Sequence, residues 1–387
     1  MKKLLIIGLV LVFALGMVLA ACDDGEDTAT TTADTTSEDT TAGDSGATVD
    51  YDPGTWQFTF NTFFPATNEI AIVGEMWQAE ITKRTNGAVE FEYLPGGSLT
   101  PPPETYDAVV TGICDVGFSL GAYTLGKFPV NELVDYPLGY PSGWVATHVA
   151  NDFYNEFMPA EFDETHVLAW YATGPQVVLT VDTPVRTLED CSGLVLRSTG
   201  VGAKIAGYLG AEGYGASQGE AYELMQKATI DGSIAPREVL KGWNQADVVN
   251  NVTQCFTIGS VTNMYMVMNK DKWDELPADI QQIFTDVSTE YVEYWAKVSS
   301  GLDYDGIAAL EAKGGEVIDL SDDEGARWLA TVRPMVDEKL AELTAAGFTD
   351  DYETYITDRI AYWADQAPTE AECSAWMADN IKSPSGE

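Results

Sequence analysis

The chain is short of positive charge and of histidine. It has 20 Lys and Arg residues against 61 Asp and Glu residues, which gives a formal net charge of −41, and it has 2 histidines. Such a negative field repels phosphate backbones, so nucleic-acid binding is excluded. Because so large a charge destabilises a compact state unless salt screens it, the acidity indicates either a saline habitat or an ordinary soluble protein with an acidic surface.

Motifs of enzymes and metal sites are also missing. No HExxH, Walker A or GxGxxG pattern occurs, and no CxxC or Cys/His pair indicates a metal. His148 falls in a predicted helix at 144–154, where a surface or core position is more typical than a catalytic one. We therefore expect no enzymatic activity, no cofactor and no bound metal.

Cysteine is scarce, with 5 residues in the chain. One of them, Cys22, is assigned to a lipid below. The other four allow three pairings, between which the sequence does not choose. We favour a bridge between Cys191 and Cys255, which flank the predicted second lobe, and we expect Cys114 to be buried and free; Cys373 is the fourth.

The N-terminus has the layout of a lipoprotein signal peptide at 1–21. Two lysines precede an uncharged run from Leu4 to Ala21, and Cys22 follows the small residues at its end. We expect the mature chain to begin at Cys22, with a lipid on its thiol that holds the protein to the membrane by about 0.8 kcal/mol per buried methylene. A transmembrane anchor is the alternative, but the run lies at the lower limit of about 18 residues for spanning.

Residues 22–54 are mostly Thr, Asp, Ser, Ala and Gly, with no aromatic residue before Tyr51. Such a segment buries too little apolar surface to offset its ordering entropy, so we expect a disordered acidic tether. The body that follows exceeds 300 residues and is long enough for two lobes.

Alternating strands and helices from Trp56 to Ser119 predict parallel strands joined by crossover helices. A second such unit follows Tyr171, and the strand at Met264 returns the chain to the first. We therefore expect an α/β fold shaped as a two-lobed clamp with mixed sheets, in which lobe I is 55–171 plus 264–300 and lobe II is 172–263 plus 301–346. Residues 347–387 are predicted to form a helical extension, and the lobes to close by bending near Tyr171 and Asn263.

Several motifs in their order along the chain give a resemblance to a known family. They are Arg84-Thr85-Asn86-Gly87, Tyr93-Leu94-Pro95-Gly96-Gly97-Ser98-Leu99, the run from Tyr106 to Gly117, Leu194-Val195-Leu196-Arg197, the run from Leu224 to Gly232, and the run from Met268 to Pro277. This pattern resembles the extracytoplasmic solute receptors of TRAP transporters, the DctP-like family. The resemblance implies a periplasmic-binding-protein clamp, a long helix from Pro277 to about Leu310 that bridges both lobes, and a small and a large membrane subunit as partners.

The resemblance also implies a ligand site. Arg197 matches the family's arginine for the substrate carboxylate, and a guanidinium suits that task because it donates two parallel hydrogen bonds. Pairing of Arg197 with an internal acid is the alternative. Gln176 stands where many members carry a second arginine, which predicts a monocarboxylate; the alternative is a glutamine satisfied by the protein itself.

Further site residues are expected from the same comparison and from composition. Asn61 and Gln218 match positions that face the cleft, although each also suits a cap or a turn. Ala235 replaces a polar residue in the stretch 231–236, which makes the pocket more apolar and places a bound metal in doubt. Aromatic side chains are expected to line the pocket, with a core position as the alternative for each: Phe63, Phe64, Tyr123, Trp243 and Tyr265.

Together these observations predict a monomeric, lipid-anchored extracytoplasmic receptor that binds a small organic acid, such as a 2-oxo, aromatic or branched monocarboxylate, and delivers it to a TRAP-type permease. One alternative is a lipoprotein that senses the acid and presents it to a receptor kinase. Another is an ABC-type binding protein, which would lack the long bridging helix.

Overall fold

The computed structural model describes residues 51–124 and 126–386. The predicted signal peptide, Cys22 and most of the predicted tether lie outside the described residues. Within the described ranges, no helix combines the length and the apolar character needed to cross a membrane.

Eleven strands and eleven α-helices are present in this part of the chain. The strands are β1 Trp56–Thr62, β2 Val89–Leu94, β3 Val116–Leu120, β4 Thr165–Ala172, β5 Gln176–Thr180, β6 Val195–Ser198, β7 Glu212–Gly215, β8 Gly232–Pro236, β9 Asn251–Gln254, β10 Asn263–Asn269 and β11 Glu316–Asp319. The helices are α1 Glu69–Arg84, α2 Thr105–Val110, α3 Gly143–Phe157, α4 Gly200–Tyr208, α5 Gln218–Gln226, α6 Val239–Gly242, α7 Lys270–Asp274, α8 Ala278–Ala312, α9 Asp322–Ala345, α10 Tyr352–Ala364 and α11 Glu370–Asn380.

The strands form two mixed sheets. The first has the order β2-β1-β3-β10-β4, in which β1 runs parallel to β2 and β3 while β10 runs antiparallel to β3 and β4. The second has the order β11-β9-β5-β8-β6-β7, in which β5 is antiparallel to both of its neighbours. The predicted α/β class with two mixed sheets is confirmed.

The chain passes between the sheets through two segments that lie side by side, one after β4 and one before β10. Thr173 donates its backbone N–H to the carbonyl of Thr262 at 3.0 Å, and Gln176 donates to the carbonyl of Ser260 at 2.8 Å. Thr262 returns a hydrogen bond from its N–H to the hydroxyl of Thr173 at 3.0 Å. These paired segments are the hinge strands expected between the lobes.

Helix α8 is the predicted bridge. It has 35 residues and begins directly after Pro277. Its first part buries Phe284 and Trp295 in the apolar core of the first sheet, and its last part buries Leu310 in a core beneath the second sheet. One continuous helix therefore contributes to the cores of both halves, as the sequence predicted.

The C-terminal helices pack on this body. Helix α9 continues through Pro334 without a break. Arg359 of α10 forms an ion pair with Asp152 of α3 at 2.5 Å. Helix α11 lies along α8, and beyond it Ser383 donates to Glu75 of α1 at 2.8 Å.

All four cysteines in the described ranges are buried and free. The predicted bridge between Cys191 and Cys255 is therefore wrong, and the prediction for Cys114 is confirmed. Burial raises the pKa of both Cys191 and Cys255 to about 12. Their thiols accordingly stay protonated, whereas disulfide formation proceeds through a thiolate.

A glycine in α8 provides a test of this packing. A Cβ at Gly306 would lie 2.1 Å from the backbone oxygen of Arg237. We expect Gly306→Ala to destabilise the protein by about 1–3 kcal/mol through overpacking, measured by denaturant unfolding. Gly207 of α4 has no atom within 4 Å of a built Cβ, so Gly207→Ala should be neutral or should stabilise by up to about 1 kcal/mol. Equal stability of the two variants would contradict the close approach of α8 to Arg237.

Candidate functional site

Arg197 is the centre of the candidate site. It lies on β6, and only 3% of its surface is exposed. Its Nε and Nη2 atoms donate to the carbonyl oxygen of Ala216 at 3.0 and 2.8 Å, and Nη1 donates to Oε1 of Gln218 at 2.6 Å. All three bonds go to neutral acceptors, so the guanidinium is held in place without being neutralised.

No carboxylate of the described ranges forms an ion pair with Arg197. Burial lowers the pKa of its guanidinium to about 10, which still leaves it protonated at neutral pH. The nearby Glu220 is occupied in a capping box, where its carboxylate accepts from the backbone and hydroxyl of Ser217 at 2.9 and 2.5 Å. The alternative in which Arg197 pairs with an internal acid is therefore not what the structure contains.

A narrow crevice between the two sheets runs beside Arg197, with a cavity volume of about 30 Å³. Its first wall comes from the lobe of the first sheet and consists of Phe63, Phe64, Leu120 and Met264. The opposite wall and the hinge contribute Thr173, Gln176, Arg197, Thr199, Gln218, Ile234, Ala235, Pro236, Glu238, Val239, Trp243 and Thr262. We call this space the interlobe cavity.

Aromatic rings form one side of the interlobe cavity. Phe63 stacks on Trp243 with ring centroids 6.1 Å apart and an interplanar angle of 16°, while Phe64 lies 4.2 Å from Phe63. The rings come from opposite lobes, so they meet only when the lobes are together. This arrangement places a flat apolar surface in the same cavity as one buried cation.

The two glutamines of the cavity differ in their partners. Gln176 donates from Nε2 to the hydroxyl of Thr262 at 2.8 Å, and its Oε1 accepts from Ser260 at 3.3 Å. Gln218, in contrast, accepts from Arg197 but leaves its Nε2 without a partner among the described residues. Gln176 thus has protein partners on both ends of its amide, while Gln218 retains a free donor beside the guanidinium.

Three predicted site residues lie outside the cavity wall. Tyr265 is buried on the far face of its strand against Tyr106, with ring centroids 5.5 Å apart. Asn61 is buried within the first lobe, where its Nδ2 donates to Thr100 at 3.0 Å. Tyr123 contacts the site only indirectly, because its hydroxyl accepts from the backbone N–H of Gln218 at 3.1 Å. Tyr123 and Tyr265, which were expected to line the pocket, and Asn61, which was expected to face the cleft, therefore lie outside the cavity wall.

Glu238 is a cavity residue that the sequence reasoning missed. It follows β8, it is 3% exposed, and its Oε2 has no hydrogen-bond partner in the described part of the chain. Burial, reinforced by Asp303 and Glu69, raises the pKa of its carboxyl well above the usual range. In the sequence, the charged pair Arg237-Glu238 directly follows a predicted buried strand. Because such a pair is more typical of a solvated turn, the burial of Glu238 was not predicted.

The stretch Gly215-Ala216-Ser217-Gln218-Gly219 has the GxSxG spacing of a hydrolase nucleophile. Ser217 instead caps α5 and bonds to Glu220, and neither His148 nor His166 is among its partners. Within the ranges described, no group of three or more metal-ligating side chains occurs.

Comparisons with known proteins agree with this geometry. The family model of the bacterial extracellular solute-binding proteins, family 7 (DctP), matches residues 60–343. A TRAP periplasmic solute-binding protein from Desulfovibrio salexigens is 27% identical, with 81% of this chain and 98% of that chain aligned at a TM-score of 0.72. A TRAP solute-binding protein from Rhodoferax ferrireducens, solved with copurified benzoate, is 23% identical, with 81% and 99% of the chains aligned at a TM-score of 0.75. A monocarboxylate 2-oxoacid-binding periplasmic protein of Nostoc is 24% identical over 249 residues, which are 61% of this chain and 65% of that protein.

Two buried arginines with different partners provide a test of the site. Arg197 has no acidic partner, so Arg197→Met removes an unpaired buried charge and should leave the unfolding temperature of the ligand-free protein unchanged or higher. Arg237 is paired with Asp303 at 3.1 Å and with Glu370. Arg237→Met should therefore cost about 3–5 kcal/mol of stability, because it leaves a buried carboxylate unpaired. A large loss of stability in the Arg197 variant would show that this guanidinium is structural.

Proposed function

The chain belongs to family 7 of the bacterial extracellular solute-binding proteins, the DctP family, and from that premise we propose that its interlobe cavity captures a small monocarboxylic acid. The observation that supports this most directly is the buried, unpaired guanidinium of Arg197. A carboxylate accepts two parallel hydrogen bonds from a guanidinium, and the low local dielectric strengthens the pair. The free Nε2 donor of Gln218 stands beside it for a third.

One cation in the cavity favours one carboxylate. Arg197 is the only Lys or Arg on the cavity wall of the described residues, and the amide of Gln176 is already bonded to Ser260 and Thr262. A second carboxylate would therefore be buried without a counter-charge. This reasoning supports a monocarboxylate over a dicarboxylate.

The apolar part of the ligand is proposed to be aromatic or branched. Phe63, Phe64 and Trp243 offer ring faces to it, and offset stacking favours a flat partner. The Rhodoferax relative was solved with benzoate, and the Nostoc relative is named for monocarboxylate 2-oxoacids. Both names point to monocarboxylic acids. Neither relative settles which acid this chain takes.

Capture is proposed to proceed by closure of the lobes. Contacts across the cleft rim join Gln218 to Tyr123 at 3.1 Å and Asn68 to the carbonyl of Gly242 at 3.4 Å. These contacts must separate for a ligand to enter. A ligand that touches both walls binds the closed form better than the open form, and this difference in affinity drives closure.

We further propose that a lipid on Cys22 holds the protein at the outer face of a membrane, and that the closed, loaded form delivers its acid to a TRAP-type permease. Genes for a small and a large membrane subunit beside this one would support transport. A histidine kinase gene alone would favour the sensing alternative.

Binding of acids is the first test of the proposal. The full-length chain, purified from membranes in detergent, is titrated calorimetrically with benzoate, 3-methyl-2-oxobutanoate and succinate. We expect saturable binding of at least one monocarboxylate and at least tenfold weaker binding of succinate. At 100 times its dissociation constant, a bound acid should stabilise the protein by about 2.7 kcal/mol.

Arg197→Met should weaken the best acid at least 100-fold, because two charge-assisted hydrogen bonds contribute about 1.5–3 kcal/mol each. The matched control is Arg186→Met, since Arg186 is half exposed and pairs with Glu316 at the surface at 2.7 Å. It makes the same change of net charge far from the cavity wall and should leave the affinity within twofold. Unchanged affinity in the Arg197 variant would refute the carboxylate assignment.

Anchoring is tested by fractionation of cells. Wild-type chain should sediment with membranes and be released only by detergent, whereas Cys22→Ala should lose the lipid and remain outside the lipoprotein fraction. Cys114→Ala is the control, because that thiol is buried in the fold. Labelled fatty acid incorporated into the Cys22 variant would contradict the assignment.

A further inference from the structure

Three buried polar atoms on the wall of the interlobe cavity lack a hydrogen-bond partner in the described ranges. They are Nε2 of Gln218, Nε1 of Trp243 and Oε2 of Glu238. Buried polar groups in folded proteins are nearly always satisfied, and three of the eleven unpartnered buried side-chain atoms of the described residues lie on this one cavity wall, where a ligand would satisfy them. A carboxylate on Arg197 accounts for Gln218, which is bonded to that guanidinium at 2.6 Å. It does not account for Trp243 and Glu238.

Glu238 and Trp243 are separated from Arg197 along the second sheet. Arg197 on β6 is in register with Ser233 on β8, and β8 continues to Pro236 before Glu238 is reached. Three strand residues advance the chain by about 10 Å. Trp243 follows the short helix α6, which begins directly after Glu238. The cavity therefore has one polar end at Arg197 and a second at the junction of β8 and α6.

The surroundings of Glu238 disfavour the charged form of its side chain. Its own backbone N–H donates to Asp303 of α8 at 2.9 Å, and its neighbour Arg237 is bonded to Asp303 and Glu370. The remaining titratable groups near it are Glu69 of α1 and Tyr171 of β4, and neither supplies a positive charge. Lys241 of α6 is engaged by Glu69 and by Asp305 at 2.6 Å. Because burial and these neighbouring acids raise the pKa of the Glu238 carboxyl, they disfavour its charged form and weaken its repulsion of an anionic ligand.

We propose that Glu238 and Trp243 are a second polar anchor of the interlobe cavity, and that its ligand is a small carboxylic acid with a hydroxyl group remote from the carboxylate. The proposal rests on the carboxylate function of Arg197. A hydroxyl donates to a carboxyl oxygen of Glu238 and accepts from the indole N–H of Trp243, so it satisfies both atoms. A methyl group satisfies neither atom, and an ammonium group cannot accept from the indole.

The test compares acids that differ only at the distal end. The full-length chain in detergent is titrated calorimetrically with benzoate, 3- and 4-hydroxybenzoate, and the corresponding methoxybenzoates, which accept a hydrogen bond but do not donate one. We expect at least one hydroxybenzoate to bind at least tenfold more tightly than benzoate, and its methoxy counterpart to lose that gain.

Two variants separate the anchor from the fold. Glu238→Leu should reduce the advantage of the hydroxybenzoate over benzoate, with both acids measured on the same variant, to within twofold. Glu238→Gln keeps an acceptor oxygen of the same shape and should retain the preference within about fivefold. Circular dichroism and the melting temperature of both variants confirm that the fold is intact, and Glu238→Gln carries the test if the leucine variant does not fold.

The outcomes distinguish the carboxylate function of Arg197 from the second anchor at Glu238 and Trp243. If benzoate binds in an Arg197-dependent manner but no hydroxybenzoate exceeds it, the second anchor is wrong and the carboxylate site stands. A hydroxyl preference that persists unchanged in Glu238→Leu likewise refutes the anchor. If none of the acids in either panel binds, both the carboxylate function and the anchor that rests on it are overturned.

Discussion

A buried guanidinium without an acidic partner is the constraint on which the rest of this structure depends. Removing a charge from water costs several kcal/mol, and that cost is usually offset by an opposite charge in the protein. Arg197 instead donates three hydrogen bonds, two to a carbonyl oxygen and one to an amide oxygen. No acid of the described residues pairs with it, so the folded part of this acidic chain keeps its carboxylates away from the guanidinium. The nearest candidate, Glu220, is occupied by the cap of α5.

The second buried arginine shows what the alternative arrangement looks like. Arg237 lies after β8 and is bonded to Asp303 of α8, Glu370 of α11 and, at 3.2 Å, Gln254 of β9. It joins the second sheet to the bridging helix and to the C-terminal extension, and it thereby fixes the position of Glu238 at the cavity. One arginine is thus ion-paired with two carboxylates and holds the scaffold together, while the other has no acidic partner and lies on the wall of a cavity that the scaffold shapes.

The sequence predicted the parts of this arrangement that depend on local pattern. Alternating strands, crossover helices and an arginine at a strand end are readable along the chain, whereas the long helix after Pro277 was implied by the family resemblance. The face of a fully buried strand is not readable in this way, because such strands lack polar alternation. Met264 and Tyr265 are adjacent on β10, yet only the first lines the cavity, since successive side chains point to opposite faces. The burial of Glu238 was invisible for another reason: it depends on Asp303, which is 65 residues away.

The electrostatic effect of the acidic chain on an anionic ligand differs between long range and short range. A net charge of −41 repels an approaching anion, but salt limits that repulsion to about 8 Å at physiological ionic strength. Inside the closed cavity the relevant titratable groups are few: one guanidinium, and a carboxyl whose pKa burial raises. Because electrostatic interactions strengthen as water is excluded, the local pair dominates the binding energy, while the surface field acts mainly on the rate of encounter. An acidic protein can therefore bind an acid, provided that its own carboxylates stay on the outside.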